Sequence, residues 1–240
     1  AMLKGMADWL IIPGYDALNS ELVELDVAVK DFLSQKDEQK LASARDEWED
    51  VALAWQEVSA FEFGPAETVF GTLKEFIGTF PVVPETFTDE SNVTFKGIEA
   101  YIAEDDSTLS NFDFATQGIY AIEYLLFSGS PDDIITEFAD PVREGYLREA
   151  VDKAISQVEG VQQDWQGSYY KNFIENDGTD AGSSVTLLFN SFVLDYEIIK
   201  NQKIGLPAGL RAGQSEPEPQ SVEAYYSGIS KQLIERNLEN

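Results

Sequence analysis

The sequence predicts an all-α protein, and three observations carry that prediction. Apolar residues recur at helical spacing in four separate stretches, proline-acid pairs mark where helices begin, and no stretch alternates apolar and polar residues with a period of two. The 240 residues, 43% of them hydrophobic and 12% aromatic, suffice for a sizeable core.

Taken in order, Leu18, Leu22, Leu25, Val29 and Phe32 step by three and four and line one helix face. Leu41, Ala44, Trp48, Val51, Trp55 and Val58 repeat the pattern, with Trp48 and Trp55 read as core. Gly64-Pro65 followed by Glu67 reads as a helix start, because proline lacks the amide that would be left unpaired there and the acid faces the positive end of the helix dipole. Two prolines break the chain within residues 79–91. QGIYAIEYLLFSG (residues 117–129) reads as a helix that is apolar almost all round. Ser130-Pro131 with Asp132 and Asp133, and Asp140-Pro141 with Glu144, mark two further starts. The second of these opens the stripe Leu147, Val151, Ala154, Val158, Val161 and Trp165. A polar, glycine-rich break covers residues 175–184, and a fourth stripe follows at Val185, Leu188, Phe192, Tyr196 and Ile199. Residues 205–221, with three prolines, read as a long connection. A helix followed by a long aromatic-rich helix occurs twice, at 16–62 and 141–203, which suggests two related bundles.

The net charge of −28, from 44 acids against 16 bases, repels phosphate backbones and anionic lipid, so nucleic-acid and membrane-surface roles are disfavoured. No apolar run approaches the roughly 20 residues that span a bilayer. No signal peptide is visible, and the opening AMLKGMADWL reads as a mature or trimmed start, which is compatible with an export signal removed earlier. Histidine and cysteine are both absent. That excludes a Ser-His-Asp triad and an HExxH zinc site, and leaves acid-base work to Glu, Asp, Lys and Tyr. Any metal would be held by oxygen: carboxylate, phenolate, carbonyl or water.

Three acids occupy positions where apolar residues belong. Glu123 is the sole charged residue from Phe114 to Phe127, with Tyr120 one turn before it. Glu62 falls where the second stripe predicts core, and Asp195 interrupts the fourth. A buried carboxylate costs several kcal/mol unless paired, hydrogen-bonded or protonated. Gly118 costs about 1 kcal/mol relative to alanine inside a helix, which points to close approach of a backbone or ligand. Two readings stand: the acids converge on a cation, or they face Arg143, Arg148 or Lys203 as ordinary buried ion pairs. Tyr225-Tyr226-Ser227-Gly228 reads either as a binding loop or as a capping turn with packed aromatics.

The segment from Gly118 through Tyr120 and Glu123 to Phe127 resembles the signature of the imelysin-like family, written GxHxxE and commonly followed by YLLF. ADWLIIPGY (7–15) resembles the family's opening helix, and residues 44–65 its next block. Tyr146-Leu147, KIGLP (203–207) and VEAYYSG (222–228) resemble later elements, in order. Tyr120 stands where the signature has histidine, so Gly118 and Glu123 alone match its marked positions. Family members usually continue beyond the Ser-Gly block, so this chain reads as a short member or one whose C-terminal part is missing.

The resemblance implies two up-and-down four-helix-bundle-like halves packed together, here 1–130 and 131–240, with a site near their interface. It also implies export to the periplasm or an association with the outer membrane, and a link to iron uptake. On this reading the chain is a non-catalytic binding protein whose ligand residues are Gly118, Tyr120, Glu123, Glu62 and Asp195, with Tyr120 and Glu123 as metal ligands. Its partner would be a cation such as iron or an iron-uptake protein. The alternatives are an imelysin-type metallopeptidase and a ligand-free interaction scaffold.

Overall fold

The computed structural model describes residues 1–110 and 113–239, and these are mainly helical. Helix α1 (Met2–Met6) runs through a π-turn (Ala7–Ile11) into α2 (Ile12–Ser34), which pairs with α3 (Glu38–Val58) across a short loop. Asp37 caps α3 by accepting from the Lys40 amide at 2.9 Å. The short helices α4 (Leu73–Ile77) and α5 (Ile98–Ala103) follow, then α6 (Gly118–Phe127), α7 (Pro131–Glu137) and α8 (Pro141–Asp164). After a kinked turn at Gly167 come α9 (Tyr170–Glu175), α10 (Ser184–Ile198) and α11 (Ser230–Glu239).

Helices α2, α3, α6 and α8 form the central bundle: α2 packs along α3 and α8, and α6 lies against α3 and α8. Every residue of the first two predicted stripes, and Leu147, Val151, Ala154, Val158, Val161 and Trp165 of the third, is buried. One core runs from Leu3 to Leu233, so α8 shares it with α2. The predicted starts at Ser130-Pro131 and Asp140-Pro141 are both helix N-termini, capped by the Ser130 hydroxyl and the Asp140 carboxylate.

Two expectations are corrected. Gly64-Pro65 opens only a 3-10 turn (Gly64–Ala66), which leads into the tight hairpin of β1 (Glu67–Thr68) and β2 (Gly71–Thr72). The helix begins later, at Leu73, where Thr72 and Glu75 satisfy each other's amides in a capping box. A second small hairpin joins β3 (Phe87–Thr88) to β4 (Thr94–Phe95). The fourth stripe is only partly core: Leu188 and Ile199 are buried, but Phe192 and Tyr196 are 41% and 59% exposed. Helix α10 turns Ser184, Leu188, Ser191 and Asp195 inward instead, because Asp195 meets Lys74 and Asn237 there. Among the described residues no helix is long and apolar enough to cross a membrane.

Candidate functional site

Helix α6 is fixed before its chemistry is considered. The Trp48 indole N–H on α3 donates to the Ile119 carbonyl at 2.7 Å, and the Arg45 guanidinium donates to the Leu126 carbonyl at 2.8 Å, so α3 holds both ends. Gly118 starts the helix at φ +78°, and a Cβ there would lie 2.6 Å from the Ile77 carbonyl oxygen. The expected close approach at Gly118 is therefore made by the backbone of α4.

Tyr120 is fully buried, and its hydroxyl makes a short hydrogen bond to Glu223 Oε1 while accepting one from Gln56 Nε2 at 3.4 Å. Burial, reinforced by the Glu223 carboxylate, holds the phenol well above its ordinary pKa, so it remains protonated and donates. Glu123 is 2% exposed. Its Oε1 accepts from the Ser227 amide at 2.7 Å and the Ser227 hydroxyl at 2.8 Å. Burial pushes the Glu123 carboxyl up to about 7, with Ser227 opposing and Glu223 adding to the rise. Within residues 225–228 Ser227 ties down the Glu123 carboxylate, and Tyr226 packs edge-on to Tyr124.

Glu223 connects Tyr120 to the other predicted acids. Its Oε2 lies 3.0 Å from Lys203 Nζ, an ion pair whose alignment leaves that oxygen without a hydrogen bond. Lys203 Nζ donates to Gln56 Oε1 at 2.5 Å and to Asn237 Oδ1 at 2.9 Å. Asn237 Nδ2 donates to Asp195 Oδ2 at 3.1 Å, and Asp195 Oδ1 accepts from Lys74 Nζ at 3.2 Å. Glu62 completes the series, accepting from the Thr72 hydroxyl at 2.9 Å and lying 3.6 Å from Lys74 Nζ. Tyr120, Asp195 and Glu62 thus belong to one polar network, with Glu123 beside its inner end and Gly118 outside it. Lys203 is the cation expected among these acids, whereas Arg143 pairs with Glu99 at 2.6 Å, away from the network.

Sequence reasoning missed Glu223, Gln56 and Asn237, and named Ser227 only as part of residues 225–228 and not as a partner of Glu123. Gln56 lies on the inward arc of α3, between Ala52 and Ser59, where a polar residue next to Trp55 was a usable signal. Glu223 and Ser227 lie in a non-helical segment, where no periodicity points to burial.

The two ends of the network differ in access. Beside Tyr120 and Glu123, among Phe80, Val222 and Tyr226, the free space is about 20 Å³. At the other end Asp195, Asn237 and Gln56 line a groove of about 560 Å³ with Trp9, Leu10, Phe61, Phe192 and Leu238. As a metal centre the oxygens suit a hard cation in kind, but the Lys203 and Lys74 ammonium groups already face them. The arrangement does not fit a resident metal unless an ammonium is displaced.

The family model described as Imelysin (Peptidase_M75) matches residues 11–239. Two crystal structures share the fold. An imelysin-like protein from Psychrobacter arcticum 273-4 aligns with a TM-score of 0.76 at 20% identity, over 99% of this chain and 70% of that one. A chain described as "a putative iron-regulated protein A precursor" from Parabacteroides distasonis ATCC 8503 aligns with a TM-score of 0.74 at 20% identity, over 98% and 70%. No curated protein matches the chain.

Proposed function

From the premise that the chain belongs to the imelysin family, we propose that it is an exported, non-catalytic binding protein in iron uptake. Its ligand enters the groove of about 560 Å³ and meets the outer end of the polar network at Asp195, Asn237 and Gln56. The carrying observation is the charge balance. Among the described residues Glu62, Asp195 and Glu223 form ion pairs with Lys74 and Lys203, and Glu123 adds a carboxyl whose pKa is near 7. The network is one positive charge short, which favours a cationic ligand, iron among them. Tyr120 and Glu123 stand behind the entry as the inner wall, and Glu62 holds Lys74. The solved relative described as iron-regulated supports the link to iron. The two halves, 1–130 and 131–240, stay part of this proposal, with α8 lodged on α2 across the division.

A second reading has its own support: Lys203 already supplies a cation to Glu223, as an internal scaffold would. Calorimetric titration with ferrous and ferric iron separates the two, using wild type, Asp195→Asn and Lys203→Met. On the binding reading, wild type binds, Asp195→Asn loses affinity, and added metal restores part of the melting temperature lost in Lys203→Met. Negligible binding in all three, with no rescue, leaves the scaffold. The peptidase reading has little behind it: the chain offers neither histidine nor cysteine, and the space beside Glu123 admits no peptide.

A further inference from the structure

At the N-terminal end of α6, lined by Gln117 and Gly118, lies a separate cavity of about 240 Å³. Phe70, Phe76 and Ala154 supply its apolar wall, and Ser110, Gln117, Lys153 and Gln157 its polar one. Among the described residues no acid lines it, although the chain carries 44 of them and acids line the groove, the crevice beside Glu123 and the hollow between α2 and α3.

Two independent features point the same way. Gln117 is 4% exposed, and its side-chain Nε2 has no hydrogen-bond partner. A buried amide donor left unpaired costs about 1–3 kcal/mol, so such groups usually mark a missing acceptor. Gln117 is also the N-cap position of α6; the helix has ten residues, no side-chain cap and no acid in its first turn. Its positive dipole end therefore has no acid of its own first turn to offset it. Lys153, on α8, makes no ion pair within 4 Å among the described residues. Burial lowers its pKa, an effect that Glu149, one turn earlier, partly offsets. A buried amide, an ammonium and a helix N-terminus all favour a ligand with acceptor oxygens and negative charge.

We propose that this cavity binds a small organic carboxylate, with its oxygens on Gln117 Nε2 and Lys153 and its apolar body against Phe70 and Phe76. The volume is below the roughly 300–1,000 Å³ of drug-sized sites, which limits the ligand to a few carbons or one ring. The site is independent of the groove and of any role in iron uptake.

Benzoate is a suitable probe, titrated into the full chain by calorimetry and by NMR, with benzamide and inorganic phosphate as controls. We expect saturable benzoate binding, little binding of benzamide, and weaker binding of phosphate, which has no apolar body. Lys153→Met should weaken benzoate binding about tenfold or more, corresponding to ~1.4 kcal/mol. Gln117→Met should weaken it too, and both variants should keep the wild-type circular dichroism spectrum. If Gln117→Met does not fold, Lys153→Met alone decides. The proposal is overturned if benzoate does not bind, if benzamide binds equally well, if phosphate binds while benzoate does not, or if Lys153→Met leaves the affinity unchanged. In each case the cavity holds water alone or takes a different ligand.

Discussion

The α2–α3–α8 bundle and the C-terminal segment from α10 to α11 are both helical, yet they use helical periodicity in different ways. In the bundle the apolar stripes are the buried faces, and the polar groups that do enter the core serve as clamps, such as the Trp48 indole on the Ile119 carbonyl. In the C-terminal segment the best-buried positions include Asp195, Lys203, Glu223 and Asn237, while Phe189, Phe192, Leu194 and Tyr196 face outward. The first region is held by apolar area, whose stabilisation grows with the surface removed from water. The second is docked largely through partnered charges, which set a specific geometry but contribute little net stability. Spacing alone does not identify the buried face when charged groups can find partners inside.

The sharpest way to break this comparison is to remove one support from each region. Trp48→Ala should cost about 3–5 kcal/mol, through the cavity and the lost bond to Ile119. Urea denaturation measures this, and a cost below about 1 kcal/mol would show that the bundle does not rest on that side chain. In the other region Lys203→Met should cost about 3 kcal/mol, since it leaves Glu223 buried beside Tyr120 with no charge partner. The double variant Lys203→Met with Glu223→Gln should recover much of that loss, because the uncompensated charge is then gone.

Glu123 gives a comparable effect that depends on pH. Its carboxyl titrates near 7 in the fold against an ordinary value of 4.5. The folded state therefore holds the proton more tightly: the favourable contribution is full below pH 4.5 and is lost as pH rises through 7. The difference is on the order of 3 kcal/mol. Glu123→Gln keeps an acceptor for Ser227 and should remove this decline. The measurement is the wild-type-minus-variant stability difference from pH 4 to pH 8, and a flat difference would refute the assignment. Smallest of all, Phe189→Ser on the exposed side of α10, where Phe189 is 65% exposed, should change stability by no more than about 0.5 kcal/mol. A large loss there would mean that the outward face of α10 carries structural load.

Much of the fold was legible in the sequence. Stripes through Leu22, Trp48 and Val151 predicted buried faces that the structure has, because a face made only of apolar groups has one favourable destination. The caps at Ser130 and Asp140 were equally legible, since capping is local chemistry. The candidate site was legible in part. Glu123, Glu62 and Asp195 stood out against apolar surroundings, and all three are inside or at the edge of the core. Lys203 was named among the possible partners and Ser227 within residues 225–228, but Glu223 and Asn237 did not stand out: Glu223 comes from a segment without periodicity, and Asn237 from the exposed-looking helix SKQLIERNLE.

By itself, then, the sequence determined the helical elements, their apolar faces and the family likeness, which are set by residues close together in the chain, and, through its lack of histidine and cysteine, that any metal would be held by oxygen. Only the tertiary structure decided that Tyr120 would meet Glu223, more than a hundred residues away, that Lys203 would neutralise it, and that α10 would turn Asp195 inward. A buried charge takes its partner from whatever the folded chain brings within about 4 Å, and no rule of spacing along the sequence encodes that distance.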